Sequence, residues 1–425
     1  MPKLDLYRAK ILNPLENGEI KFFYDGYLIV DKKGKVVECN DFENFNGEIS
    51  NYNINNFGEY LIIPGLIDAH SHIPQYDEIG TGNGELLGWL NDYIFPLEAR
   101  FDDFLFSYHK SKIFFEELIK NGCTTAFLYS SIHYNSTAAA FEAAADVGLN
   151  AYIGNSMGDS YNSSGLQYSV DENISNSEKL LSKYHKSAHG KLEYIVTPRY
   201  AGNCSFELLE KAAKLAKDNN LFIQTHIAEN KAELEFINTR FPNFANYTDI
   251  YEKAGLINDK TILAHGIYLT DSEVQSIKSS SAIISHCPNS NRYLSSGIMP
   301  LDKYIKNDLK LVLGTDIAGG FFRSIIEEGR EAIESSKTFK LLVDAQSEIV
   351  APETIFKLMT IDAAKNLGLK SKIGNFDPDK NADFVVIDNI NLNYLDTVER
   401  LVSKLIYTTS KFDIKYTFIG GKRMF

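Results

Sequence analysis

The sequence predicts an α/β protein: a (β/α)₈ TIM barrel with a small β-sandwich domain formed from its N- and C-terminal segments. Three observations predict it. Short apolar runs alternate with helix-length amphipathic segments through the middle of the chain. Eight such runs can be counted, the number that closes a barrel. Side chains able to bind a metal fall just after those runs, at the end of the strands where barrel active sites assemble.

A chain of 425 residues accommodates a barrel of about 250–300 residues plus an appendage. Its 44% hydrophobic and 23% charged content is that of a soluble globular protein. No run approaches the roughly 20 apolar residues that span a bilayer, so membrane insertion is not expected. The start, Met1-Pro2-Lys3-Leu4-Asp5-Leu6, lacks a secretory h-region. Cys39, Cys123, Cys204 and Cys287 are far apart and form no CxxC, which suits reduced thiols in the cytoplasm. A net charge of -13 without a dense Lys/Arg cluster argues against nucleic acid as a partner and for a small or neutral one.

In chain order, residues 1–64 read as short strands, with Gly26-Tyr27-Leu28-Ile29-Val30 followed by the turn Asp31-Lys32-Lys33-Gly34-Lys35. Residues 65–368 are expected to form the barrel. Its eight strands are expected at Leu61–Asp68, Thr124–Ser130, Ala151–Ser156, Glu193–Pro198, Leu221–Thr225, Thr261–Ala264, Ala282–Ser285 and Leu309–Gly314. Helices are expected at Glu207–Asp218, Lys231–Arg240 and, leading out of the barrel, Pro352–Leu367. Residues 369–425 again read as strands, in Ala382–Ile387 and Lys415–Lys422, and are expected to share a sheet with the N-terminal segment. The segment Pro74–Phe101 is long for a first βα loop and holds the only tryptophan, Trp89, so it reads as a pocket wall.

His70 and His72 follow the first strand with i, i+2 spacing, which points both imidazoles to one side. Two histidines so spaced occur easily by chance; their place at a barrel strand end favours metal ligation. His226 follows strand five, and Glu229 lies three residues on, within reach of a reacting water. The plainer account of Glu229 is a charge at the start of helix Lys231–Arg240. His265, after strand six, reads as a ligand, as a hydrogen-bond donor, or as a core histidine. Asp316, after strand eight, reads as a ligand or a helix cap. Agreement among four strand ends favours one divalent ion held by three imidazoles and a carboxylate, with a position open to water. Zinc is the favoured ion, and iron or manganese suits the same donors.

The strings Pro64-Gly65-Leu66-Ile67-Asp68-Ala69-His70-Ser71-His72, His226-x-x-Glu229, Ala264-His265-Gly266 and Gly314-Thr315-Asp316 together resemble the amidohydrolase superfamily across almost the whole chain. Further strings are similar to its guanine deaminases, purine aminohydrolases that convert guanine to xanthine and ammonia. These are Pro74-Gln75-Tyr76, Trp89-Leu90 with Phe95-Pro96, Val196-Thr197-Pro198-Arg199-Tyr200 and His286-Cys287-Pro288-Asn289-Ser290-Asn291. The resemblance implies that His70, His72, His226 and Asp316 bind one zinc, that His265 sits beside the reacting water, and that Glu229 shuttles the proton. It assigns Arg199 and Gln75 to the purine edge, with Tyr200 near the ring; a planar guanidinium fork and an amide suit that task. The plainer account of Arg199 is a surface ion pair. Zinc and Asp316 together are expected to generate hydroxide from water, which attacks C2, with Glu229 protonating N3 and His265 hydrogen-bonding the developing oxyanion.

One departure stands out: relatives often carry Leu-Leu-Glu-Trp where this chain has Leu86-Leu87-Gly88-Trp89. His133 and His286 follow strands two and seven and read either as pocket-lining or as packing residues. Competing expectations are the same chemistry on a pterin, 8-oxoguanine or a triazine, or a catalytically silent assembly protein. The His-x-Glu with Pro-Cys-x-x-Cys signature of polynucleotide base deaminases is absent. A homodimer is the expected oligomer.

Overall fold

Pro64-Gly65 divides the first long apolar run between two sheets. A Cβ on Gly65 would meet the Thr124 hydroxyl at 2.2 Å, so only glycine lets the chain cross this point. The computed structural model describes residues 3–82, 84–160, 166–388 and 396–425.

Before the break lie β1 (Leu4–Pro14), β2 (Ile20–Val30), β3 (Val36–Asp41) and β4 (Tyr52–Pro64). The expected turn joins β2 to β3, with Gly34 N–H donating to the Asp31 carbonyl at 3.0 Å. After it come the barrel strands β5 (Leu66–His72), β6 (Cys123–Ser130), β7 (Asn150–Asn155), β8 (Leu192–Tyr194), β9 (Ile223–Ile227), β10 (Thr261–His265), β11 (Ile283–His286) and β12 (Lys310–Leu313). The chain ends with β13 (Phe384–Ile387), β14 (Ile414–Ile419) and β15 (Lys422–Arg423).

The first and last groups share one seven-stranded sheet in the order β15-β14-β13-β4-β1-β2-β3. Residues Leu61–Pro64, expected to open the first barrel strand, instead pair with β13. The barrel strands form two parallel quartets, β5-β6-β7-β8 and β12-β11-β10-β9. Val196 bridges Ile223 between the quartets on one side, and on the other Asp316 N–H donates to the His70 carbonyl at 2.8 Å. The expected fourth strand, Glu193–Pro198, is regular only as far as Tyr194 and continues as single bridges. Ile67, Phe127, Tyr152, Ile195, Ile262, Ile283 and Val312 fill the barrel interior. Ala363, Leu367 and Leu369 plug its lower end.

The helices Phe206–Asn219 and Lys231–Arg240 form where their apolar spacing and caps predict, the second with an Asn230/Glu233 capping box. The expected helix Pro352–Leu367 is two helices, Pro352–Met359 and Ile361–Asn366, broken at Thr360 (φ -134°, ψ -100°). A helix over Val398–Thr408 had no counterpart in the sequence reading; Arg330 ties it down through the Ile406 and Thr409 carbonyls. Among the described residues, no helix is long and apolar enough to cross a membrane.

Candidate active site

Strand alternation puts the side chains of His70 and His72 on one side of β5, as their spacing requires. Opposite them, Gly314 lets the end of β12 approach: a Cβ there would stand 2.6 Å from His70 Cβ. Asp316 follows, with Oδ1 3.2 Å from His70 Nε2 and 3.3 Å from His72 Nε2. The gap between His72 Nε2 and His226 Nε2 is 3.2 Å. His226 donates Nδ1–H to the Arg199 carbonyl at 2.6 Å, which fixes its tautomer and leaves the Nε2 lone pair facing the cluster.

Burial lowers the His70 pKa to about 4 and carries His226 well below the usual histidine range, helped by the neighbouring imidazoles. Burial pushes Asp316 upward, but His70 and His72 outweigh it and hold the carboxyl well below its ordinary value. Neutral imidazoles around an ionised carboxylate are the protonation states that metal ligation needs. Both ring nitrogens of His70 lack a hydrogen-bond partner although Nε2 lies close to Asp316. Buried lone pairs converging without a donor between them fit a cation: His70, His72 and Asp316 form one group close enough to hold it, and His70, His226 and His265 form another. The ring of Tyr129, at the end of β6, packs against His70, His72 and His226 at centroid distances of 5.0, 4.6 and 4.9 Å. Nothing in its sequence context marks that place.

His265 Nε2 stands 3.4 Å from Glu229 Oε2 and 3.8 Å from Asp316 Oδ2. Its Nδ1 bonds Asn291 Oδ1 at 2.8 Å, and Ser290 Oγ donates to Asp316 Oδ2 at 2.6 Å. Thus the His286–Asn291 string supports the site through its last two residues. Burial disfavours the His265 cation, yet Glu229 and Asp316 outweigh it and raise the pKa. Burial raises Glu229 to about 7, opposed by His265. Its backbone N–H donates to Glu233 Oε2 at 2.8 Å, and Ser296 Oγ donates to its carboxyl at 3.2 Å. The helix start beside Glu229 exists, but its capping residues are Asn230 and Glu233. Ala228, His265 and Asp316 all adopt left-handed backbone (φ +47°, +73° and +44°), a conformation costly for non-glycine residues and concentrated at functional sites.

A cavity opens onto this cluster and is lined by His72, His226, Glu229, His265 and Asp316 together with Gln75, Arg199 and Tyr200. Arg199 is an ion-pair partner, as its plainer reading held, but a buried one: Nη1 meets Glu98 Oε2 at 2.6 Å, with side chains 8% and 3% exposed. Gln75 Nε2 donates to the other oxygen of Glu98 at 3.2 Å. Glu98 lies outside the strings that point to the pocket, the nearest being Phe95-Pro96; the available signal is an acid two residues beyond that proline. The long first loop is mostly helical: 3₁₀ over Ile73–Glu78, α over Leu86–Trp89, π over Leu90–Ile94 and α over Phe95–Ala99. Leu86, Leu87, Trp89 and Leu90 face the cavity, whereas Gly88 is exposed with open space around it. Gly88 itself therefore lies outside the cavity lining. His133 and His286 do not line the cavity; His133 bonds Tyr168 at 2.8 Å, and His286 is buried without a hydrogen-bond partner.

The family model described as the amidohydrolase family matches residues 61–424. The chain belongs to the amidohydrolase family, in its guanine deaminase branch. A mouse guanine deaminase is 34% identical over 86% of the chain and 83% of its own length. The Escherichia coli K12 guanine deaminase is 32% identical over 99% and 96%. The solved E. coli enzyme superposes with a TM-score of 0.92 at 28% identity, covering 99% of each chain. A guanine deaminase from C. acetobutylicum with guanine in its active site gives 0.93 at 28%, covering 100% of both. A triazine hydrolase variant at 16% identity, with a TM-score of 0.86 over 99% and 94%, shares the amidohydrolase fold.

Proposed function

We propose that this chain hydrolyses guanine at C2, releasing ammonia and leaving xanthine. The observation that carries the reading is a single cavity with a His/Asp cluster and, tied together through Glu98, an Arg199 and Gln75 pair able to read a purine edge. The full-length likeness to guanine deaminases, one of them with guanine bound, supports the choice of ring.

His70, His72, His226 and Asp316 would hold one zinc per chain; iron or manganese accepts the same donors. A divalent cation there supplies Lewis acidity that brings the pKa of water towards ~7. Glu229, poised near neutrality, accepts a proton from the attacking water and delivers it to N3 as oxygen bonds to C2. His265 donates Nε2–H to that oxygen. The remaining proton of the C2 hydroxyl passes to the amino group, the C2–N bond breaks as the C2 carbonyl forms, and the group leaves as ammonia. Arg199 keeps Nε and Nη2 for the O6/N7 edge because Nη1 is committed to Glu98. Gln75 presents its carbonyl oxygen, and Tyr200 with Trp89 walls the ring and excludes water.

We further assign the chain to the cytoplasm as a homodimer, in keeping with four unpaired cysteines and the prevalence of two-fold assemblies. Ammonia release from guanine, a pterin, 8-oxoguanine and a triazine tests the substrate. Rapid turnover of guanine is expected, and negligible guanine turnover beside rapid turnover of another ring overturns the assignment. A purified chain that never holds about one equivalent of metal would point instead to a silent assembly protein.

A further inference from the structure

The barrel has a second mouth. Where β8, β9, β10 and β12 begin, at the end opposite His70 and Asp316, a cavity of about 440 Å³ opens. Lys186, Lys260, Lys310, Lys365 and Lys372 converge on it from separate segments. Glu193 and Asp259 are the only carboxylates lining it, in a chain where 56 acids outnumber 43 Lys and Arg. None of the five lysines forms an ion pair among the described residues. Elsewhere lysines close on acids, as Lys110 does on Asp77 at 2.5 Å and Lys303 on Asp271 at 2.7 Å.

The floor is aromatic. Tyr152 and Phe222 line it, and Tyr152 stacks on Phe127 with centroids 4.2 Å apart. Lys260 is held in place by the Asn220 carbonyl at 2.9 Å and side-chain oxygen at 2.7 Å. Burial of His185 favours its neutral form, so the lysines carry the positive charge. Five lysines against two carboxylates over a low-dielectric floor leave a net positive potential focused into the concavity.

We propose that this lower cavity binds a compact polyanion of the di- or triphosphate class, either free or as part of a nucleotide. Several lysines facing one space match a ligand whose negative charges are adjacent, and the cavity is large enough for more than one phosphate group. Such an anion relieves the mutual repulsion of the lysines, which a single carboxylate does only in part.

The test is calorimetric titration of the metal-loaded protein with inorganic pyrophosphate and, separately, with ATP at low salt. Saturable one-site binding is expected, weakening as salt is raised. Lys260→Glu combined with Lys310→Glu is expected to weaken it at least tenfold while guanine turnover is unchanged, and Lys310→Arg to retain it. Should the double variant fold poorly, Lys365→Ala with Lys372→Ala, on the plug segment, serves the same purpose. ATP binding more tightly than pyrophosphate identifies the nucleotide form; equal affinities identify the phosphate chain alone. Absence of saturable binding by either at millimolar concentration, or binding indifferent to the charge reversals, overturns the proposal.

Discussion

Glu98 offers the sharpest test of how the pocket is built. Glu98→Gln leaves the Arg199 guanidinium buried without its charge partner, and Arg199→Met leaves the carboxylate in the same position. Breaking a buried pair from one side costs about 3–5 kcal/mol because a charge stays desolvated. Removing both charges abolishes that penalty, so the double variant is expected to be more stable than the sum of the singles by about 3 kcal/mol. Urea denaturation of the four proteins measures this coupling directly. Guanine kinetics supply a second readout. Glu98 also holds Gln75, so Glu98→Gln is expected to lower kcat/KM on the order of a hundredfold, equivalent to about 2.7 kcal/mol, mainly through KM. Stabilities that add within about 0.5 kcal/mol, together with an unchanged KM, would refute the view that Glu98 pre-organises both recognition side chains.

Three other outcomes follow from the site and its frame. Glu229→Gln is expected to reduce kcat by roughly 10²–10⁴ with metal content intact; near-normal turnover would remove Glu229 from proton transfer. Asp316→Ala is expected to lose metal on desalting and lose turnover with an unaltered circular dichroism spectrum, and retention of about one equivalent would contradict its place among the ligands. Asp383, buried between barrel and sheet, has its pKa raised to about 6 by burial, against a hydrogen bond from Gly420 N–H. The folded state therefore holds this proton to higher pH than the unfolded chain. Its contribution is most favourable below about pH 4 and declines as pH rises to about 6, by on the order of 3 kcal/mol. Asp383→Asn should abolish that decline, and parallel stability-versus-pH curves for the two proteins would exclude it.

Much of the candidate metal site was legible because each of its His and Asp side chains sits at a strand end, and strand ends can be read from local patterning. The barrel brings His70 and His72 together with Asp316, and His70 with His226 and His265. Glu98 was not legible in that way, since it works across 101 residues of chain separation to Arg199 and lies in a segment without strand or long-helix periodicity. Tyr129 is similar: its strand was expected, but which of its side chains would meet the imidazoles depends on barrel geometry. The division at Pro64-Gly65 was obscured because Leu61–Pro64 and Leu66–Asp68 are equally apolar although they belong to different sheets. The break at Thr360 is a local change of backbone conformation that helical spacing does not encode. The lower-mouth lysines are the extreme case, scattered over nearly two hundred residues so that no window of sequence contains a basic cluster.

The seven-stranded sheet has a consequence for biosynthesis. β4 lies between β1 and β13, and β13 emerges some 320 residues after β4. At about 5–20 residues per second, the hydrogen-bonding edge of Leu61-Ile62-Ile63-Pro64 waits roughly 16–64 s on the ribosome for its partner. An apolar strand with an unpaired edge invites association with other chains during that interval. Nascent chains stalled before Phe384 should consequently be the aggregating species in cells and the preferred clients of holdase chaperones, whereas the finished protein has that edge sealed by its own C-terminal segment.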